Sequence, residues 1–157
     1  MLLDKENMFS IDQSLAVASG TTTLCDHSID VGAPGTIPAG FQSRGTAPRD
    51  VGKGRPVQVL VEVTEEFDSA GDDTTLEVDL VTADNEGLTT NKVIIAKTPA
   101  IAQAALVKGY KFMVPGIIPP GTGADQFIGV QYVTGTSTAT AGKVNAGLVF
   151  DMQTAGT

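Results

Sequence analysis

The only cysteine and the only histidine of the chain stand two residues apart in "CDHSID", as Cys25 and His27. On an extended strand they share a face, about 6.6 Å apart along the chain. A thiol beside an imidazole is the pair that a nucleophilic cysteine uses, but it needs hydrogen-bond contact and a third, orienting group. Zinc needs at least one further thiolate or imidazole, and there is none; Asp26 and Asp30 do not fill the gap. The residues therefore predict a buried small thiol, with no metal ligand and no cofactor. No G-x-S-x-G singles out a serine either. No catalytic residue is assigned, and the chain reads as a non-enzyme.

A second stretch, "RDVGKGRP" (49–56), has the glycines and the lysine of a phosphate cradle. A dinucleotide fingerprint needs G-x-G-x-x-G opening a helix, and a P-loop needs Lys followed by Ser or Thr. Here Lys53 is followed by Gly54, and the loop runs through Arg55 and Pro56 into the strongest strand pattern of the chain. Both templates fail on context. What remains is a charged turn in which Gly52 and Gly54 give backbone freedom. A third candidate is acidic: Glu65, Glu66, Asp68, Asp72 and Asp73 crowd one turn. Calcium takes six to eight oxygens, roughly what such a turn offers, though the EF-hand spacing is missing. A free-standing calcium- or ligand-binding β-sandwich is thus the rival reading of the whole chain.

The charge is unevenly spread. Arg44, Arg49, Lys53 and Arg55 are four of the ten basic residues, whereas Pro56 to Asn91 holds ten of the 18 acids and no basic residue before Lys92. Either the basic loop folds back on the acidic turn, or the two regions face different partners. The net charge of −8 argues against nucleic acid, which is bound through cations. One cysteine cannot form an internal disulfide, which suits synthesis in a cytoplasm. "MLLDKENMF" carries Asp4, Lys5 and Glu6 and has no signal-peptide core, and no run reaches the roughly 18 apolar residues of a membrane span.

The elements that must carry these residues are strands. The 157 residues make one domain, with 18 glycines and eight prolines interrupting any long helix. In "PVQVLVEVTEEF", Val57, Val59, Val61 and Val63 recur at period two, and in "TTLEVDLVTAD" so do Leu76, Val78 and Leu80. Joined by the turn "DSAGDD", the two runs read as an antiparallel pair. "NKVIIAK" reads as a short buried strand. "QFIGVQYVT" shows Ile128, Val130 and Tyr132 on one side, "AGKVNAGLVFDMQ" shows Val144, Ala146, Leu148 and Phe150, and "TTTLCDHSIDVGA" adds one or two more strands. About seven or eight strands suffice for two packed antiparallel sheets, an all-β sandwich. "TPAIAQAALVKGYKF" allows at most a short helix near residues 99–107, and 114–125 reads as a Pro/Gly loop. Residues 1–12 form an apolar N-terminal arm, with Leu2, Leu3 and Phe9 offered to a neighbouring subunit; an ordinary first strand is the competing reading.

Taken in order, "MLLDKENMFSIDQSLA", "IDVGA", "RDVGKGRPVQVLVEVTEEF", "ALVKGYKF", "FIGVQYVTG" and "AGKVNAGLVFDMQ" resemble the capsid decoration, or cement, proteins of short-tailed bacteriophages. The likeness spans nearly the whole chain, through the order of segments rather than any one motif. It implies a jelly-roll-like sandwich on the outer face of the virion head. It also implies self-association, a homodimer being favoured and a homotrimer possible, and bridging of neighbouring major capsid subunits. Neither nucleic acid nor membrane is expected as a partner. On this reading the contacts are Leu2, Leu3 and Phe9 of the arm and Arg44, Arg49, Lys53 and Arg55 of the loop, the latter set against an acidic surface of the shell or of a sister subunit. The stretch "GIIPPGTGADQ" departs from the family by lacking a basic residue before Phe127.

Overall fold

Val, Leu and Ile at every second position make strands that bury one face, and such strands need a second sheet to cover it. The structure, a computed structural model, describes residues 7–31, 56–117 and 126–149. Its strands are β1 (Met8–Ser14), β2 (Thr22–Leu24), β3 (Ile29–Asp30), β4 (Pro56–Ser69), β5 (Thr75–Ala83), β6 (Val93–Lys97), β7 (Ile101–Ala102), β8 (Lys111–Ile117), β9 (Phe127–Gly135) and β10 (Ala139–Val149). One sheet has the order β1-β10-β4-β8 and the other β2-β9-β5-β6, with β3 beside β9 and β7 beside β5. Every pairing is antiparallel. With the short β3 and β7 set aside, this is the eight-strand order of a jelly roll. The helical option shrinks to a single 3-10 turn, Gln103–Ala105.

The inner faces match the sequence pattern. Val59, Val61, Val63, Leu76, Val78, Leu80, Ile128, Val130, Val144 and Ala146 all enter one core cluster. Gly116 of β8 faces this core, where an added Cβ would stand 2.5 Å from Leu80. The pairing of β4 with β5 is corrected. The turn between them carries the chain from one sheet to the other, and β4 pairs β10 and β8 while β5 pairs β9, β6 and β7. Both strands are long and mostly buried, so each takes a central place, and only one central strand fits beside β10 or β9.

Two further expectations change. "NKVIIAK" is not buried: β6 is an edge strand, with Val93 and Ile94 46% and 44% exposed. The Pro/Gly loop starts later, because β8 runs through Pro115 to Ile117. Proline is tolerated there because β8 is an edge strand.

The two sheets are tied by a polar link through the core. The Tyr132 side chain, on β9, is fully buried, and its hydroxyl lies 2.7 Å from Ser10 Oγ on β1 of the opposite sheet. Ser10 in turn donates to Gln13 Oε1, so Tyr132 is the donor to Ser10. Gln13 Nε2 then donates to the Leu24 carbonyl of β2 at 2.7 Å. Desolvation pushes the Tyr132 phenol far above its ordinary range, so it stays a donor. Replacing Tyr132 with Phe leaves Ser10 Oγ with one partner fewer in a dry site. We expect Tyr132→Phe to lower the unfolding free energy by about 1–2 kcal/mol, read as a lower urea midpoint at unchanged slope. An unchanged midpoint would contradict the link.

Candidate docking surface

Cys25 follows β2, and its Sγ accepts from the Val130 amide at 3.2 Å while its own amide donates to the Val130 carbonyl. Burial pushes the thiol up to about 11, so it is protonated at neutral pH and a poor nucleophile. His27 is exposed, and its backbone amide donates to the Phe9 carbonyl, tying β1 to the opposite sheet. The pair is a packing feature. Leu88 and Cys25 lie over Gly129, where an added Cβ would stand 2.3 Å from Leu88 Cδ1 and 2.9 Å from Cys25 Sγ. Leu88, at the tip of the 84–92 loop, caps Val81 and Ala83 on the outer face of the second sheet.

The rest of that outer face is polar and self-satisfied. Gln131 Nε2 donates to Asp79 Oδ2 at 2.7 Å, Lys92 Nζ donates to Gln131 Oε1 at 2.8 Å, and Lys97 pairs with Glu77 at 2.6 Å. Asp79 Oδ1 has no hydrogen bond and faces Lys97 Nζ at 4.0 Å. Desolvation raises the Asp79 carboxyl above its ordinary value, against the pull of Gln131 and Lys97. The period-two pattern of β5 puts Asp79 on the face opposite Val78 and Leu80, but it shows neither its burial nor its partner Gln131, 52 residues further on. The outer face of the first sheet carries the ion pairs Lys111–Glu62 at 3.2 Å and Lys143–Glu65 at 2.7 Å. At its other end Met8 and Leu60 flank Gly147 and are nearly solvent-free.

The five acids of the β4–β5 turn separate. Glu65 pairs with Lys143, Asp68 accepts from Thr140, and Asp72 accepts from Gln103. Among the described residues no three His, Cys, Asp or Glu side chains gather as a metal site.

Phe9 corrects one expected contact. It lies in β1 with its side chain fully buried in the chain's own core, so it cannot be offered to a partner without opening the sandwich. The competing reading, an ordinary first strand, holds from Met8 onward. The other expected contacts, Leu2, Leu3, Arg44, Arg49, Lys53 and Arg55, lie outside the described residues, as does Phe150. The topology nevertheless fixes where they attach. Met8 pairs with Gly147, Pro56 with Ile117, Gln58 with Val149, and Asp30 with Phe127. Hence residues 1–6, 32–55, 118–125 and 150–157 all join the sandwich at one end, and the acidic turn caps the other.

The chain is therefore a jelly-roll sandwich protein whose outer faces are largely closed by its own side chains. Residues 9–148 match the Bbp16 family, so the chain belongs to that family, whose name points to a phage-related protein. No curated protein matches the chain. Among the described residues no helix is long and apolar enough to cross a membrane.

Two measurements check this surface. Native Cys25 should react with iodoacetamide at neutral pH far more slowly than the urea-unfolded chain; equal rates would contradict the buried thiol. For Asp79 the folded-state pKa lies above the unfolded value near 3.8, so its cost is absent in acid and grows as pH rises through the folded pKa. Relative to Asp79→Asn, the wild type should therefore lose stability from acid to neutral pH. Parallel stability–pH curves would refute this.

Proposed function

We propose that the chain is a non-enzymatic capsid decoration protein that binds the outer surface of a bacteriophage head and stabilises contacts between major capsid subunits. The observation that carries this reading is membership of a phage-related family over residues 9–148 on a jelly-roll sandwich. The chemistry of the described residues is consistent with it, since the one thiol is protonated and packed and the acids are dispersed.

A decoration protein needs little from any one contact. Repeated over a shell, weak contacts at many sites resist outward pressure together. The proposed contact set is Leu2 and Leu3 before β1, with Arg44, Arg49, Lys53 and Arg55 before β4, all attached to the same end of the sandwich. Because β1 begins at Met8 and Phe9 is core, the arm contacts are tested on residues before β1.

Purified chain added to phage heads that lack it should bind them and raise the temperature at which they release DNA. Deleting residues 2–6 should weaken that binding by at least about tenfold, on the area that two leucines bury, with the thermal melt of the sandwich unchanged. Binding unaffected by the deletion would remove the arm from the contact set. Failure of the intact chain to bind would remove the proposal.

A further inference from the structure

Asp79 sits in the middle of β5 on the outer face of the second sheet, yet it is only 1% exposed. An ionised carboxylate offers roughly four acceptor sites. Here Oδ2 accepts from Gln131 Nε2 of β9 at 2.7 Å, and Oδ1 has no hydrogen bond. Lys97 Nζ stands 4.0 Å from Oδ1, beyond hydrogen-bond reach, and is engaged by Glu77 at 2.6 Å. Lys92 Nζ donates to Gln131 Oε1 at 2.8 Å instead. Two lysines thus converge on the surroundings of the carboxyl, and neither bonds it. A group so dry and so poorly bonded is easier to keep neutral than charged.

What keeps water from this carboxyl differs on its two sides. β9 pairs with β5 without a break from Thr75 to Ala83, whereas β6 pairs only from Asp79 to Thr82, with a register shift between Leu80 and Val81. β6 is also the edge strand, with Val93 and Ile94 nearly half exposed. Both lysines belong to that side: Lys97 is opposite Asp79 in register, and Lys92 immediately precedes Val93. The two ends of β6 are fastened. The Thr98 amide donates to the Val78 carbonyl, and Thr98 Oγ1 accepts from the Val78 amide at 2.9 Å. At the other end the Asp84 amide donates to the Thr90 carbonyl, and Asn91 Nδ2 donates to Asp84 Oδ2 at 2.6 Å. A short strand between two fixed points can lift by itself, and lifting it breaks fewer contacts than parting β5 from β9.

We propose that β6 is a pH-sensitive flap, closed over the Asp79 carboxyl while that group is protonated and loosened when it ionises. The charged groups facing Asp79 are Glu77 on its own strand, Lys97 of β6, and Lys92 by way of Gln131 of β9. The lysines favour the ionised form; dryness and the neighbouring Glu77 favour the proton. Dryness wins, because Lys97 is 53% exposed, stands off at 4.0 Å and is shared with Glu77, and so exposed a pair is worth little. Desolvation, helped by Glu77, accordingly holds the carboxyl above its ordinary value of 3.8. Lifting β6 returns the group to water and towards that ordinary value. The stability that the proton gives the closed strand is therefore full below the open-state pKa and is lost as pH rises through the closed-state pKa. The device belongs to the isolated chain and is independent of any shell.

Amide hydrogen exchange of the full-length chain, resolved by strand and corrected for the intrinsic rate at each pH, tests it. In the wild type the amides of Val93–Lys97 should be less protected than those of β9. Low urea should leave their exchange unchanged, as a local opening requires, while it speeds exchange in β9. Their protection should fall between about pH 4 and about pH 7. Asp79→Asn keeps the shape and an acceptor for Gln131 but has no charge to gain. Its β6 protection should stay level over that range and exceed that of the wild type at neutral pH. A β6 that exchanges only with the whole sandwich, showing the urea dependence of β9, would overturn the proposal. So would β6 protection that is constant or rises with pH in the wild type, or an Asp79→Asn chain that keeps the wild-type pH dependence. The wild-type measurements decide by themselves if the variant does not fold, since they compare strands within one molecule.

Discussion

The Tyr132 hydroxyl is buried between two sheets, and much of the fold follows from keeping it paired. An unpaired hydroxyl in a dry core costs on the order of 1–3 kcal/mol, so β1 must present Ser10 to it and Gln13 to Ser10. A regular strand cannot place Phe9, Ser10 and Gln13 all inward. β1 does so by shifting register twice against β10, with Asp12 at φ 50° and its amide held by Asn145 Oδ1. The irregularity has a second use. β1 is an edge strand, and bulges discourage open-ended pairing with other chains.

Period-two alternation made the inner faces legible before any coordinates. Val57 to Val63, Leu76 to Leu80 and Ile128 to Tyr132 all point as their spacing requires, because one buried face suffices to produce the pattern. Pairing partners were not legible. The turn from Ser69 to Thr75 resembles a hairpin in sequence, but a hairpin and a crossing between sheets use the same turn residues. Which one forms depends on β10 and β9, more than 50 residues further on. "VIIAK" misled for a related reason: apolar residues on an edge strand look like core when the edge is unknown. Phe9 misled because it groups with Leu2 and Leu3 as one apolar stretch, and no sequence signal marks where such a stretch becomes a strand.

The candidate surface was legible as charge and not as geometry. The basic cluster before Pro56 and the acids after it were plain in the chain. The described residues place only the acids, at the end of β4 away from Pro56, and that follows from the length of β4 and from where its neighbours begin and end. The same outer faces that carry ion pairs and the Asp79–Gln131 contact are largely satisfied within the chain.

The measurement closest to the central claim is a count. Gradient-purified virions of the proposed phage source can be digested and the chain quantified by mass spectrometry against the major shell protein. A decoration role predicts a copy number comparable with that of the shell subunits. Absence from the particle would contradict it, leaving the jelly roll intact and its partner to be sought outside the virion.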